Sequence, residues 1–324
     1  MGSFRDFGVQ KELKEVETRI RESIRSDEPL LSEIASYVID SGGKRLRPAV
    51  AILAFKAAGG TDPKEIIDLA AAFELIHSAT LIHDDINDGG EMRRGRVSAH
   101  RRYGVQNALV TGDFLYVRGF AIGGKFPPAI VDLTAAVCAA LAEGEIKQKR
   151  RSRDTTLTRE EYLDIINRKT AMPISANARI GAMLAGASPE LVSDIADYGH
   201  NVGMAFQIVD DVLDIVGEPR NLGKPIGTDI REGNVTLLAI HALNDGGSID
   251  RNDLVRIISR KRKEEEHVRR AMRMIRDSGA VESTLRDARE FIESAKDSLR
   301  RLPAKSEYRA QMTELADFVV ERDH

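Results

Sequence analysis

The chain has 324 residues, 42% of them hydrophobic, a formal net charge of -3 and 31% charged residues. That is apolar material enough for a large core in one or two domains, and the near balance of scattered charge argues against a nucleic-acid partner. The lone cysteine, Cys138, excludes an intrachain disulfide framework and a thiolate zinc cluster; in an Ala/Val-rich run it reads as core packing. The amino end, Gly2 to Ile24, is amphipathic and charged, unlike a signal peptide. No charge-free apolar stretch is long enough to span a membrane, so a cytoplasmic protein without integral membrane association is expected.

Helical periodicity runs through almost every long segment and strand-like alternation is nearly absent, which makes the expected class all-α. Helices are expected near 9–25, 28–40, 46–59, 63–88, 105–122, 128–149, 158–186, 188–215, 234–244, 249–278, 280–300 and 304–321. Asp62-Pro63-Lys64-Glu65, Ser188-Pro189-Glu190 and Thr158 with Glu161 carry N-cap or capping-box signals. The segment 63–88 is apolar on more than one face and belongs inside a bundle; 128–149 and 188–215 are expected beside it. The last 75 or so residues are more charged, and Arg260-Lys261-Arg262-Lys263-Glu264-Glu265-Glu266 reads as a solvated helix face with i,i+4 pairing. Organisation as one all-helical domain over 1–324 is expected, with motifs in 28–245 and a charged helical part at 249–324.

One acidic pattern occurs twice, as Asp84-Asp85-Ile86-Asn87-Asp88 and, 126 residues later, as Asp210-Asp211-Val212-Leu213-Asp214. On a helix, i and i+4 share a face, so Asp84 pairs with Asp88 and Asp210 with Asp214. A single Asp-Asp is ordinarily a helix end or a surface ion pair. Two copies in apolar helical surroundings need cations to keep them ionised. Hard oxygen ligands suit Mg²⁺, which fills its remaining positions with phosphate. The expectation is diphosphate chemistry, with two or three Mg²⁺ ions, replaceable by Mn²⁺.

Cations complete an anion site. Gly42-Gly43-Lys44-Arg45-Leu46-Arg47 lies between two helices, where glycine allows close backbone approach and Arg offers forked donors. Glu91-Met92-Arg93-Arg94 follows the first acidic motif. His77 lies two turns before Asp84 on one face, and Gln207 one turn before Asp211. Lys169-Thr170 sits in a helix otherwise small and apolar, and Lys224 and Asp229 occupy the segment beyond the second motif.

These elements, in this order and spacing over about residues 28 to 245, resemble the trans-isoprenyl diphosphate synthase (polyprenyl synthetase) family. Its two aspartate-rich motifs match Asp84/Asp85/Asp88 and Asp210/Asp211/Asp214. Its Gly-Lys-x-x-Arg element matches Gly43 to Arg47, its double arginine Arg93-Arg94, its Lys-Thr pair Lys169-Thr170 and its Phe-Gln element Phe206-Gln207. The resemblance implies the isoprenoid synthase fold, an orthogonal helical bundle around a deep central cavity, usually as a homodimer. It implies head-to-tail condensation of isopentenyl diphosphate with an allylic diphosphate, either dimethylallyl, geranyl or farnesyl. Lys44, Arg47, His77 and Arg94 would bind the isopentenyl diphosphate; Arg93, Lys169 and Lys224 would contact the allylic phosphates beside the metal-holding aspartates. Lys169, Thr170 and Gln207 would steady the allylic cation formed at Asp84 and Asp210. The family's Gly-x-Asp-Leu-x-Glu-Gly-Lys reads here Gly227-Thr228-Asp229-Ile230-Arg231-Glu232-Gly233-Asn234, so weakened or relocated diphosphate contact is expected, with Arg231 as an added cation.

Product length is expected to depend on Phe73, Ile76, Ala79 and Thr80, upstream of Asp84, with Phe55 as a further floor candidate. In the family, bulky aromatics one turn above the motif stop growth at fifteen carbons; Ala79 and Thr80 are small, which favours geranylgeranyl diphosphate, with twenty-five to fifty carbons as the alternative. A terpene cyclase, a head-to-head synthase and an inactive regulatory subunit are the rival readings.

Overall fold

The computed structural model describes residues 7–43, 45–217, 226–245, 249–303 and 306–321. Lys44 and Lys224, both expected site residues, lie outside them. The chain divides into two compact units: residues 1–135, 176–196 and 299–315 form one, and residues 136–175, 197–298 and 316–324 the other.

The described residues are helical almost throughout, as expected. In the first unit α1 (Gln10–Ser23), α2 (Pro29–Ile39), α3 (Leu46–Ala57), α4 (Lys64–Asp88), α5 (Ala99–Tyr103) and α6 (Val105–Gly123) follow one another. α4 is the axis, packed by α1, α3, α5 and α6 and buried along most of its length. It is long and apolar enough to cross a membrane, yet 78% of that apolar window is buried inside the fold. Its partner α6 approaches closely because Gly119 carries no side chain: a Cβ there would lie 2.8 Å from Ile76 Cγ1 and 2.9 Å from the Ala72 carbonyl. Asp62 Oδ1 accepts from Lys64 N at 3.1 Å, so α4 begins one residue later than Pro63 implies. A two-residue antiparallel hairpin pairs Met92–Arg93 with Arg96–Val97.

α7 (Pro128–Arg150), α9 (Met172–Leu184) and α10 (Pro189–Val216) each contribute one end to each unit. α7 corrects the expectation of an interior helix. Alanine fills both of its faces, so periodicity could not tell inside from outside, and Ile146 is exposed. Cys138 is half-buried there, and burial pushes its thiol up.

The second unit holds α8 (Arg159–Ile166), α11 (Thr228–Glu232), α12 (Leu237–Asp245), α13 (Arg251–Ile258), α14 (Glu265–Asp277) and α15 (Ala280–Ser298). α16 (Glu307–Glu321) closes the chain. Thr158 and Glu161 form the expected capping box on α8. The single helix expected over 158–186 is broken by a π turn at Asn167–Ala171. Pro173 has no N–H for the carbonyl four residues back, at Lys169, and its ring crowds that position. The wider turn is accommodated at Gly203, where a Cβ would lie 2.6 Å from Ala171 Cα. The helix expected over 249–278 is likewise two. Arg260 to Lys263 are non-helical, a run of four consecutive cations that repel one another, and Glu264 with His267 caps α14. Glu265, expected to pair within the run, instead meets Arg269, one turn further along α14, at 3.3 Å.

Candidate active site

Each unit carries one aspartate motif with its own surroundings. In the first, α4 ends at Asp88, and Gly89 caps it in the left-handed region at φ 69°. Carboxylates at a helix C-terminus face the negative end of its dipole and call for cations. Asp85 is buried, Asp84 half-buried and Asp88 exposed. Arg93 donates through Nε to Asp85 Oδ1 at 2.9 Å. Burial opposes the Arg93 charge, but the bond and charge of Asp85, with Asp84 and Asp88, hold it above its ordinary value.

The expected phosphate cradle gathers around His77 and Glu74, about two to three turns upstream on α4. Gly43, at φ 150°, is required because a Cβ would lie 2.8 Å from the Arg94 guanidinium. Arg45 and Arg94 both adopt positive φ, 46° and 52°, which costs non-glycine residues energy and is kept where side-chain direction matters. Burial brings Arg94 down to about 10, with Glu74 opposing and Arg45, Arg93 and Arg47 adding to the effect. Burial also lowers Arg47, against Glu74. His77 is driven well below its usual value by burial and then by Arg47, Arg94, Arg93 and Arg45, so it is a neutral imidazole. Glu74, 3% exposed, accepts from Arg45 Nη1 at 2.6 Å. Arg45, Arg47, Arg94 and neutral His77 thus cluster around one buried carboxylate, Glu74, with Arg93 committed to Asp85 beside them, leaving an excess of positive charge suited to a dianion. Sequence reasoning passed over Glu74; its signal was a lone carboxylate in the apolar run of α4, three residues before His77.

In the second unit a cavity of about 520 Å³ is lined by Lys169, Thr170, Gln207, Asp211, Asp229 and Asn234 among others. Thr170 Oγ1 donates to Gln207 Oε1 at 2.7 Å, Gln207 Nε2 donates to Asp211 Oδ1 at 2.8 Å, and the Tyr162 hydroxyl donates to Asp211 Oδ2 at 2.7 Å. Asp214 Oδ2 accepts the Asp229 N–H at 3.0 Å. Lys169 Nζ pairs with Glu145 at 2.5 Å and also bonds Gln148. Burial, then Asp229, pushes Asp211 far above the carboxylate range, Asp210 adding to this and the Tyr162 and Gln207 bonds opposing it. The site is short of positive charge, and its donors are hard oxygens; both fit a divalent cation.

The two departures in the last motif have partners within the fold. Arg231 donates to the carbonyls of Ile226 and Gly227 and pairs with Glu265 at 2.6 Å. Asn234 donates its amide to Asp229 at 3.2 Å and Glu232 at 3.1 Å, tying the segment together where a lysine would carry charge. Among the described residues, no three His, Cys, Asp or Glu side chains are gathered into a ready-made metal cage. Adjacent aspartates diverge by about 100° on a helix, and Arg93 or Tyr162 with Gln207 claims the middle one. A metal sharing its shell with phosphate needs no such cage.

Of the expected product-length residues, Phe73 and Ile76 line an apolar pocket of about 290 Å³ in the first unit, with Leu69, Gly119, Phe120 and Gly123. Ala79 and Thr80 are buried but do not line it; Thr80 Oγ1 bonds the His77 carbonyl at 2.8 Å. Phe55 packs against Gly60 instead.

An all-α fold with two Asp-Asp-x-x-Asp helices and a buried arginine cradle defines an enzyme that handles diphosphate esters. The polyprenyl synthetase family profile matches residues 28–275. A short chain isoprenyl diphosphate synthase of Methanothermobacter thermautotrophicus is 37% identical, covering 98% of both chains. The octaprenyl diphosphate synthase of Escherichia coli is 33% identical, covering 95% of both. The crystal structure of a polyprenyl synthase from Caulobacter crescentus CB15, complexed with calcium and isoprenyl diphosphate, superposes with a TM-score of 0.93 at 38% identity, covering 98% of this chain and 96% of that one. The chain belongs to the polyprenyl synthetase family: it has the isoprenoid synthase fold and is a trans-prenyltransferase acting on isoprenyl diphosphates.

Proposed function

We propose that the chain condenses isopentenyl diphosphate head-to-tail with an allylic diphosphate to make geranylgeranyl diphosphate, in the cytoplasm, as a homodimer and a single catalytic domain. The arginine cradle around Glu74 carries this reading, because a second diphosphate substrate needs a second cationic site. Lys44, Arg47, Arg94 and the neutral N–H of His77 hold the isopentenyl diphosphate. Asp84, Asp85, Asp88, Asp210, Asp211 and Asp214 hold Mg²⁺, two or three ions, with Arg93, Lys169 and Lys224 on the allylic phosphates. When bound, the divalent cation supplies charge to the departing diphosphate oxygens. Lys169, Thr170 and Gln207, the last two held by their mutual bond, steady the allylic cation. Apolar walls keep water from the allylic cation, and the released diphosphate takes the proton that restores the alkene.

Length is the finer part of the proposal. Phe73, Thr80 and Asp84 fall at i, i+7 and i+11 on α4, one stripe on which Phe73 is roughly 16 Å from Asp84. Phe73 would then be the floor. The longer-chain reading, twenty-five to fifty carbons, draws support from the facing wall of the pocket, bare at Gly119, Gly123 and Gly124. Incubation with Mg²⁺, isopentenyl diphosphate and each starter, followed by chromatography of the extracted products, is expected to give mainly twenty carbons. No prenyl product with any starter would overturn the function; a longer set would overturn only the length. Phe73→Ala is expected to lengthen the product by at least one five-carbon unit, and an unchanged distribution would place the floor elsewhere.

The homodimer draws support from α6, whose outer face exposes Leu109, Val110, Val117 and Phe120; Val117 is 64% exposed. Apolar faces of this kind are a feature of subunit interfaces. Val117→Asp is expected to weaken the dimer by roughly 10-fold or more in sedimentation, with unchanged far-UV circular dichroism.

A further inference from the structure

We propose that Tyr162 is a positioning residue for the second aspartate motif, gripping Asp211 from one side while Gln207 grips it from the other. The inference rests on the reading of Asp210, Asp211 and Asp214 as the metal-holding motif. Tyr162 belongs to α8, outside every motif that identifies the family, and is 4% exposed. Its hydroxyl is 2.7 Å from Asp211 Oδ2, and Gln207 Nε2 is 2.8 Å from Oδ1. Each oxygen has its own donor from a different element, so the plane of the carboxylate is fixed.

The constraint extends further. With its NH₂ committed to Asp211, Gln207 turns its carbonyl to Thr170, whose hydroxyl donates at 2.7 Å. The single Thr170 proton is then in use, and its lone pairs are what the cavity receives. One phenol therefore orients three polar side chains that line one cavity. A tyrosine with a purely structural task is satisfied by any backbone carbonyl. Burying this one against a carboxylate desolvates both groups, an arrangement whose stability depends on every member being satisfied. Asp214, also buried, accepts the Asp229 N–H from α11 on Oδ2.

Tyr162→Phe removes the hydroxyl and keeps the ring. Wild type and variant are titrated with Mg²⁺ in the presence of inorganic diphosphate, reading the rise in melting temperature, with the KM for isopentenyl diphosphate measured in parallel. Losing a hydrogen bond to a charged group is expected to raise the half-maximal Mg²⁺ concentration about 10-fold. The KM for isopentenyl diphosphate, whose Arg47 and His77 lie in the first unit, is expected to stay within about two-fold. An unmoved midpoint overturns the inference, as does an equal rise in both quantities, which general loosening would produce. If the phenylalanine variant does not fold, the wild type is read instead. The chain has no tryptophan, so tyrosine emission must change when Mg²⁺ and inorganic diphosphate are added together; constant emission overturns the inference. A wild type without prenyl product would sink the function itself, whereas an active wild type with an unmoved midpoint sinks only the role of Tyr162.

Discussion

Asp84→Ala and Asp210→Ala are each expected to cut turnover by roughly 10²–10³-fold while moving the melting temperature little. Both carboxylates are half-buried at the outer position of their motif, so alanine removes negative charge from the ligand site without opening a cavity in the core. The inner aspartates make a useful contrast. Asp85→Ala leaves Arg93 without its carboxylate, and Asp211→Ala leaves Tyr162 and Gln207 without their acceptor. Those two variants are expected to lose stability as well as activity, because a buried donor without a partner is costly. Saturating kcat and calorimetric melting on all four proteins check the pattern. Turnover within about three-fold of wild type for Asp84→Ala and Asp210→Ala would remove those residues from the metal site.

Glu74→Gln is expected to destabilise the protein by about 3–5 kcal/mol, the usual result of removing one partner from a buried ion pair. Glu74 opposes the repulsion among Arg45, Arg47 and Arg94, and pairs directly with Arg45. Glutamine keeps the shape and removes the charge that opposes Arg47 and Arg94 and pairs with Arg45. Inorganic diphosphate should restore most of the lost melting temperature, since a bound dianion supplies that charge. Equal stabilisation of wild type and variant by diphosphate would mean that the cradle and the anion site are different places.

Much of this was legible in the sequence because the signals were local. The i,i+4 spacing of Asp84 with Asp88 and of Asp210 with Asp214 states a shared helix face, and Lys169, Thr170, Gln207, Asp211 and Asp229 indeed line one cavity. Interactions between distant segments were harder to read. Tyr162 bonds a residue 49 positions away and Arg45 one 29 positions away, and no periodicity announces either contact. Glu74 was hidden for the opposite reason: a single charge in an apolar run is ordinarily noise. The helices that depart from simple periodicity do so for physical reasons. Pro173 deletes the donor for Lys169 O, Arg260 to Lys263 repel one another, and alanine on every side of α7 erases the distinction between core and surface.

The wide turn at Asn167–Ala171 also bears on how this enzyme tolerates change. It acts as a joint in what would otherwise be one rod, inserting an extra residue just where Lys169 and Thr170 project. Rotation set upstream by Tyr162, Ile165 and Ile166 need not propagate to Ile174 and Ile180 downstream. Substitutions that retune the reaction chamber can therefore accumulate on one side of the joint while the hydrophobic packing on the other keeps its own angular setting.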